Sequence, residues 1–264
     1  MRSRLLAIFG SIFFSVVVLV GLAVNGRVAA EPTEPTGGPI VPTTYRVSEN
    51  AAGIEGNGDS TTPAISANGR FIAFATAANN LAPLFDDNGF QDIYLKDLET
   101  QVITRVIDFV QTARANGDSR NPDISANGRF VVFETDATDF ASSLEISDNN
   151  DAPDIYIYDK DTDFLNIVSA DTFQFNTGNY ASYLPVVAAT GNGGYRVAFI
   201  SEATTLDPNE ADTDTIPDIY VLTYDPDTGR EMKLVSVNSL GEKGDAGSFN
   251  PAISANGRYI AFES

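Results

Sequence analysis

Residues 63–74 read PAISANGRFIAF. The phrase returns as PDISANGRFVVF from Pro122 and as PAISANGRYIAF from Pro251, and a degenerate copy, PVVAATGNGGYRVAF, starts at Pro185. The spacings are 59, 63 and 66 residues, and self-similarity at such a period marks a chain built of repeated supersecondary units. Two further phrases keep step. One is DIYLKD from Asp92, DIYIYD from Asp154 and DIYVLTYD from Asp218. The other is VITRVI from Val102, FLNIVS from Phe164 and MKLVSV from Met232.

Each unit reads as four strands, a to d. Strand a is short and follows Pro. An Asn-Gly turn (Asn68-Gly69, Asn127-Gly128, Asn256-Gly257) leads into strand b as a tight hairpin. Strand b is apolar on successive residues, as in Phe71-Ile72-Ala73-Phe74, so both its faces must be buried. Strand c alternates better and turns through Asp97-Leu98-Glu99-Thr100 or Asp225-Pro226-Asp227-Thr228-Gly229 into strand d. No helical stripe appears after residue 30. Four-stranded sheets that cannot bury their faces alone imply radial stacking. The expected fold is all-β: a β-propeller of four-stranded antiparallel blades, three complete and one incomplete. A tandem β-sandwich is the runner-up, disfavoured by the doubly buried strand b.

PAISANGRFIAF followed by DIYLKD resembles the WD40-like β-propeller repeat of the TolB type, whose usual form is Ser-Pro-Asp-Gly-Lys/Arg, an apolar strand and then Asp-Ile-Tyr. The resemblance covers about residues 44–264. It implies the fold and leaves function open among scaffolds, envelope proteins and enzyme appendages. The a–b turn departs from the pattern, reading Ala-Asn-Gly for Pro-Asp-Gly, and the b–c connections are long.

The chain start reads as an address. Arg2 and Arg4 precede an uncharged run from Leu5 to Val24, and Val28-Ala29-Ala30 then offers small residues before Glu31. This is a secretory signal over residues 1–30, with a retained membrane anchor as the rival. Residues 31–43 are a Pro/Thr/Gly linker. The repeats then run over about 49–108, 109–170, 171–238 and, incompletely, 239–264. Tyr45-Arg46-Val47-Ser48 matches strand d positions, and Pro251 to Ser264 supply only strands a and b. A truncated member of a longer ring is expected, with a natural three-and-a-half-blade protein as the alternative.

The 264 residues include no Cys, His or Trp. Cys or His zinc sites, disulfides and His-dependent nucleophilic triads are thereby excluded for this sequence. The net charge is −20; residues 1–30 hold three Arg and no acid, so the remainder carries −23. Such acidity disfavours nucleic acid. Strand parity puts the b–c and d–a connections on one face. With the Asp that opens strand c, the b–c connections 77–91, 135–153 and 201–217 hold 3, 6 and 6 acids and no Lys or Arg.

A pattern repeats there in register: Asp86, Asn88 and Asp92; Asp148, Asn150 and Asp154; Asp212, Asp214 and Asp218. Alternating oxygen ligands on a tight loop, with a further carboxylate at fixed distance, are how Ca²⁺ is gathered. The competing reading is turn chemistry, since Asp and Asn side chains bond their own backbone. Carboxylates that recur blade by blade argue against a glycosidase pair, which should be singular. Tyr94, Tyr156 and Tyr220 read as packing residues, and Arg70, Arg129 and Arg258 as partners of nearby acids.

These readings lead to an exported, non-enzymatic propeller, secreted, periplasmic or at the cell surface. It would bind an unidentified protein or other envelope or extracellular ligand, touching membrane only through an uncleaved N-terminal segment. The alternative is the N-terminal propeller of a longer, peptidase-like hydrolase whose catalytic domain lies outside this chain. Cleavage after Ala30 makes Glu31 the N-terminus in mass spectrometry of the secreted or surface fraction. Intact protein retained in membranes would instead identify an anchor.

Overall fold

Along strand b of the second repeat, alternate residues enter different cores. Val131 and Phe133 join one cluster with Phe71, Ala73 and Ile93 of the first repeat. Phe130 and Val132 join another with Tyr195, Val197 and Phe199 of the third. All four of these strand-b residues are buried. With a two-residue side-chain period, a strand can do this only when a sheet covers each face. Full burial of each such side chain contributes about 1.5–3 kcal/mol.

The computed structural model describes residues 44–82, 86–106, 115–171, 176–207 and 212–264. Blade 1 is β1 (Ser60–Ile65), β2 (Phe71–Thr76), β3 (Asp92–Asp97) and β4 (Ile103–Arg105); blade 2 is β5 (Ser119–Ile124), β6 (Phe130–Thr135), β7 (Asp154–Asp159) and β8 (Phe164–Ile167). Blade 3 is β9 (Ser182–Ala189), β10 (Tyr195–Ser201), β11 (Asp218–Asp225) and β12 (Gly229–Leu234), followed by a hairpin of β13 (Phe249–Ile253) and β14 (Ile260–Glu263). Every sheet is antiparallel with its strands in sequence order. The chain is thus a β-propeller array of three complete blades and part of a fourth. The signal or anchor segment and the linker lie outside the described residues.

The blades share one internal plan. Phe74 opposes Tyr94, Phe133 opposes Tyr156 and Phe199 opposes Tyr220 across strands b and c. Each pair stacks with ring centroids 6.2–6.3 Å apart. The hairpin turn is also repeated. In blade 1 the Ser66 amide donates to the Phe71 carbonyl at 2.9 Å, while the Ser66 hydroxyl accepts from the Phe71 amide at 3.0 Å. Asn68 Oδ1 accepts from the Arg70 amide, and Gly69 takes φ 69°. The loop is therefore longer than the two-residue Asn-Gly turn expected from sequence. Ser125 and Asn127 repeat it, as do Ser254 and Asn256.

Neighbouring blades are tied at both ends. On the loop face, an amide at or just before the start of each incoming strand a donates across the interface. Ser119 donates to the Gln91 carbonyl at 2.7 Å, Ser182 to Pro153 at 2.8 Å and Ser248 to Pro217 at 2.8 Å. On the turn face, the Phe71 ring lies under Arg70 and under Lys160 of blade 2, at 4.9 and 5.0 Å. Arg230 of β12 is half-buried and donates to the carbonyls of Ile167, Val168 and Ala170 in blade 2. The four a strands line a central groove of about 410 Å³. Each carries a bulge, with Thr62, Asn121, Leu184 and Asn250 at φ 45–53° immediately before a Pro.

Three expectations need correction. Tyr45 to Ser48 do not form strand d, because no strand c lies beside them among the described residues; Val47 instead packs on the Phe74–Tyr94 cluster. Phe262, expected in the core, is only half-buried, since no strand c or further blade covers β14 among the described residues. A one-turn helix, α1 (Asp139–Ser143), interrupts the b–c connection of blade 2.

Gly69 and Gly128 occupy the same turn in successive blades, at φ 69° and 75°. A Cβ on Gly69 would meet open space, whereas one on Gly128 would overlap the Phe71 ring. Gly69→Ala should cost about 1–2 kcal/mol from backbone strain alone. Gly128→Ala should cost about 1–3 kcal/mol more through overpacking. Phe133→Ala should cost about 3–5 kcal/mol. Urea unfolding of the three variants checks this order; equal costs for the two glycines would place the blade 1–2 contact elsewhere.

Candidate functional site

The antiparallel order places the b–c and d–a connections on one face, as strand parity requires. Within the b–c loops the three Asp/Asn patterns take one local geometry. The backbone amides of Asn88, Asn150 and Asp214 donate to Asp86, Asp148 and Asp212 Oδ1 at 3.3–3.4 Å. Those of Phe90, Ala152 and Ile216 donate to Asn88, Asn150 and Asp214 Oδ1 at 2.9 Å. Each loop is thus two successive Asx turns, so turn chemistry accounts for the pattern's local shape.

The Asp that opens strand c is buried in each blade: Asp92, Asp154 and Asp218 are 2%, 2% and 0% exposed. Asp154 and Asp218 each accept from a serine on the neighbouring outer segment, Ser169 and Ser236, at 2.7 Å. Those serine hydroxyls also accept from the Ile155 and Ile219 amides. The position equivalent to Ser169 in blade 1 is Ile107, a residue type with no such hydroxyl.

The charge of each loop is met differently. In blade 1, Arg105 of β4 reaches Asp86 at 3.2 Å and Asp92 at 3.4 Å. In blade 3, Lys243 Nζ sits 2.6, 2.6 and 2.8 Å from oxygens of Asp212, Asp214 and Asp218. These three carboxylates could hold a metal ion by spacing, with one oxygen from each within 4.8 Å of the others; they converge on the ammonium group. The b–c loops themselves contain no basic residue, yet a cation serves them in these two blades. The cations arrive from strand d and from the d–a connection, which end on the same face.

In blade 2, Asp148 Oδ1 accepts from the Thr177 hydroxyl at 3.4 Å. Asn150 Nδ2 donates to the Gly178 carbonyl at 2.5 Å. Burial, followed by the charge of Asp148, pushes the Asp154 carboxyl up to about 8 against the bond from Ser169. Asp92 is also raised by burial and by Asp86, with Arg105 opposing. Burial would lower Lys243, but its bonds to Asp212, Asp214 and Asp218 outweigh that and raise it.

The aromatic residues of strand c also reach this face. Tyr220 Oη donates to Asp212 Oδ2 at 2.8 Å. Its counterpart Tyr156 packs edge-on to Phe140 of α1, with centroids 5.7 Å apart. Arg105, Lys243, Thr177, Ser169 and Ser236 were not singled out from the sequence. The signal available was a basic or hydroxylic residue just after strand d, which parity delivers to the b–c loops. The turn face is charge-balanced by comparison. Arg70 and Arg129 each hold an aspartate, Asp97 and Asp159, through two hydrogen bonds of 2.7–3.0 Å.

No protein-family model matches the chain, and no curated protein is similar to it in sequence. Among solved structures it is similar to TolB from Acinetobacter baumannii, at 18% identity and a TM-score of 0.39, over 78% of this chain and 37% of that one. A TolB from Agrobacterium tumefaciens is 19% identical at a TM-score of 0.35, over 67% of this chain and 48% of that one. The β-propeller domain of the Trilobed protease from Pyrococcus furiosus is 14% identical at 0.36, over 67% and 44%. The neighbours are β-propeller proteins. The chain spans less than half the length of each.

The Lys243 side chain is 16% exposed and the side chains of its partners Asp212 and Asp218 are 1% exposed. Lys243→Met should therefore cost about 3–5 kcal/mol in metal-free buffer, because it strands buried carboxylates. Arg46→Met, which removes the solvent-exposed pair with Glu55, should cost less than about 1 kcal/mol. Chemical unfolding of both variants measures the contrast.

Proposed function

We propose that the chain is an exported, non-enzymatic β-propeller that acts as a binding or scaffold module of the cell envelope or exterior. The face carrying the b–c and d–a connections is its contact surface. The observation that supports this reading is the unequal charge of the two faces. The turn face neutralises Asp97 and Asp159 with bidentate arginines. The loop face leaves Asp59, Asp87, Asp118, Asp151 and Asp245 exposed. Such a surface suits a partner with complementary positive charge and steers its approach. The buried carboxylates beneath it have structural work in each blade, holding Asx turns or tying strand c to the segment beyond strand d.

Charge reversal of three loop-face residues, Asp87→Lys, Asp151→Lys and Asp245→Lys together, should weaken retention of the protein on its own cells' envelope fraction at least tenfold. The matching reversal on the turn face, Glu99→Lys with Asp161→Lys, should leave retention unchanged. Equal loss from both faces would remove the loop face as the contact surface. A hydrolase segment with Gly-x-Ser-x-Gly encoded beyond Ser264 would favour the propeller of a longer enzyme instead.

A further inference from the structure

The three acidic loops are internal controls for one another. Blade 1 places Arg105 opposite Tyr94, and the register puts Ile167 opposite Tyr156 and Leu234 opposite Tyr220. Blade 3 supplies Lys243 from the bridge Val237–Lys243, and the corresponding bridge in blade 2 is Ala170–Thr177. The next residues confirm that alignment: the Gly178 amide donates to the Ser169 carbonyl as the Gly244 amide does to that of Ser236. Blade 2 therefore has Ile167 and Thr177 at the two positions from which its neighbours deliver a cation.

Two buried polar atoms at this place lack a hydrogen bond of regular geometry, Asp154 Oδ2 and Tyr156 Oη; the Thr177 and Asn150 side chains lie close enough to the Asp154 carboxylate to lower its pKa. Asp154 is 2% exposed and Tyr156 0%. Asp154 Oδ1 is held by Ser169, so Oδ2 is the oxygen left over. Burial raises the Tyr156 hydroxyl, and the charges of Asp154, Asp148 and Asp139 add to that. Its counterpart Tyr220 spends its hydroxyl proton on Asp212. A bare buried carboxylate oxygen is costly, and blades 1 and 3 each offset that cost with a side-chain cation.

We propose that the blade 2 loop alone is a divalent-cation site of the calcium class, in which the ion takes the place that Lys243 Nζ fills in blade 3. Asp148 and Asp154 supply the charged oxygens and the Thr177 hydroxyl a neutral one. Solvent at the partly exposed loop completes the six to eight oxygens that calcium prefers. Thr177 offers an oxygen where lysine would offer a competing charge. The expectation of three equivalent calcium loops thus narrows to one, with the other two closed by Arg105 and Lys243.

Calorimetry of the full chain with calcium chloride, after chelation, tests this. The wild type should bind one ion. Calcium at about a hundred times Kd should raise the melting temperature by roughly 5–10 °C. Thr177→Lys should abolish binding and raise the melting temperature of the metal-free protein, because it installs the blade 3 solution. Lys243→Thr should open a second site and bring the count to two. Wild-type protein that takes up no calcium at millimolar concentration would overturn the proposal, as would one-site binding that survives Thr177→Lys. If Lys243→Thr does not fold, the wild type and Thr177→Lys decide the matter between them.

Discussion

The structure depends on covering both faces of strand b. Each b strand carries apolar residues on both faces, and a single four-stranded sheet can bury only one of them against something else. Stacking sheet on sheet is the way out, and it makes each blade the solvent shield of its neighbours. The stack then fixes everything near its rim. Strand a must lie innermost, where each incoming amide of Ser119, Ser182 or Ser248 bonds the carbonyl before strand c of the preceding blade. The b–c and d–a connections must emerge together. Their acids are brought side by side by packing that has nothing to do with metal or partner binding.

That forced proximity explains why the three loops differ. The burial of Asp92, Asp154 and Asp218 follows from the strand register, which each blade shares. What neutralises them is free to vary, because it comes from a different element. An arginine on β4 and a lysine beyond β12 are two answers to one electrostatic problem, and blade 2 has a threonine beyond β8 in the place of that lysine. The same logic separates the faces. Arg70 and Arg129 lie next to their hairpin turns and meet Asp97 and Asp159 at the ends of the paired c strands, so the turn face neutralises itself within each sheet.

Most of the fold was legible in the sequence because the repeat is strict where packing is strict. The Phe74–Tyr94 pair and its two counterparts, the Asn-Gly turns and the order of the strands all follow from residues that recur in register. Contacts between elements without a recurring residue were not legible. Arg105 and Lys243 belong to different strand and loop positions, so neither stands out in an alignment of the repeats. The bulges at Thr62, Asn121, Leu184 and Asn250 were hidden because three residue types, Thr, Asn and Leu, take the same left-handed conformation before Pro, so no single residue marks it. Phe262 matches its counterparts in sequence and differs only in what lies over it, which no local pattern records. The acidic loops were legible as a pattern, but the pattern alone could not show that all three share the same Asx turns or that cations from other elements close two of them.

Hydrogen exchange resolved to single strands tests the stacking account most directly. Amides of β6, shielded by sheets on both faces, should exchange slowest in the chain and open only with global unfolding, while β14 should exchange orders of magnitude faster despite its similar apolar pattern. If β6 and β14 were equally protected, the sequence of strand b alone, and not the blades around it, would set its stability, and the account would be wrong.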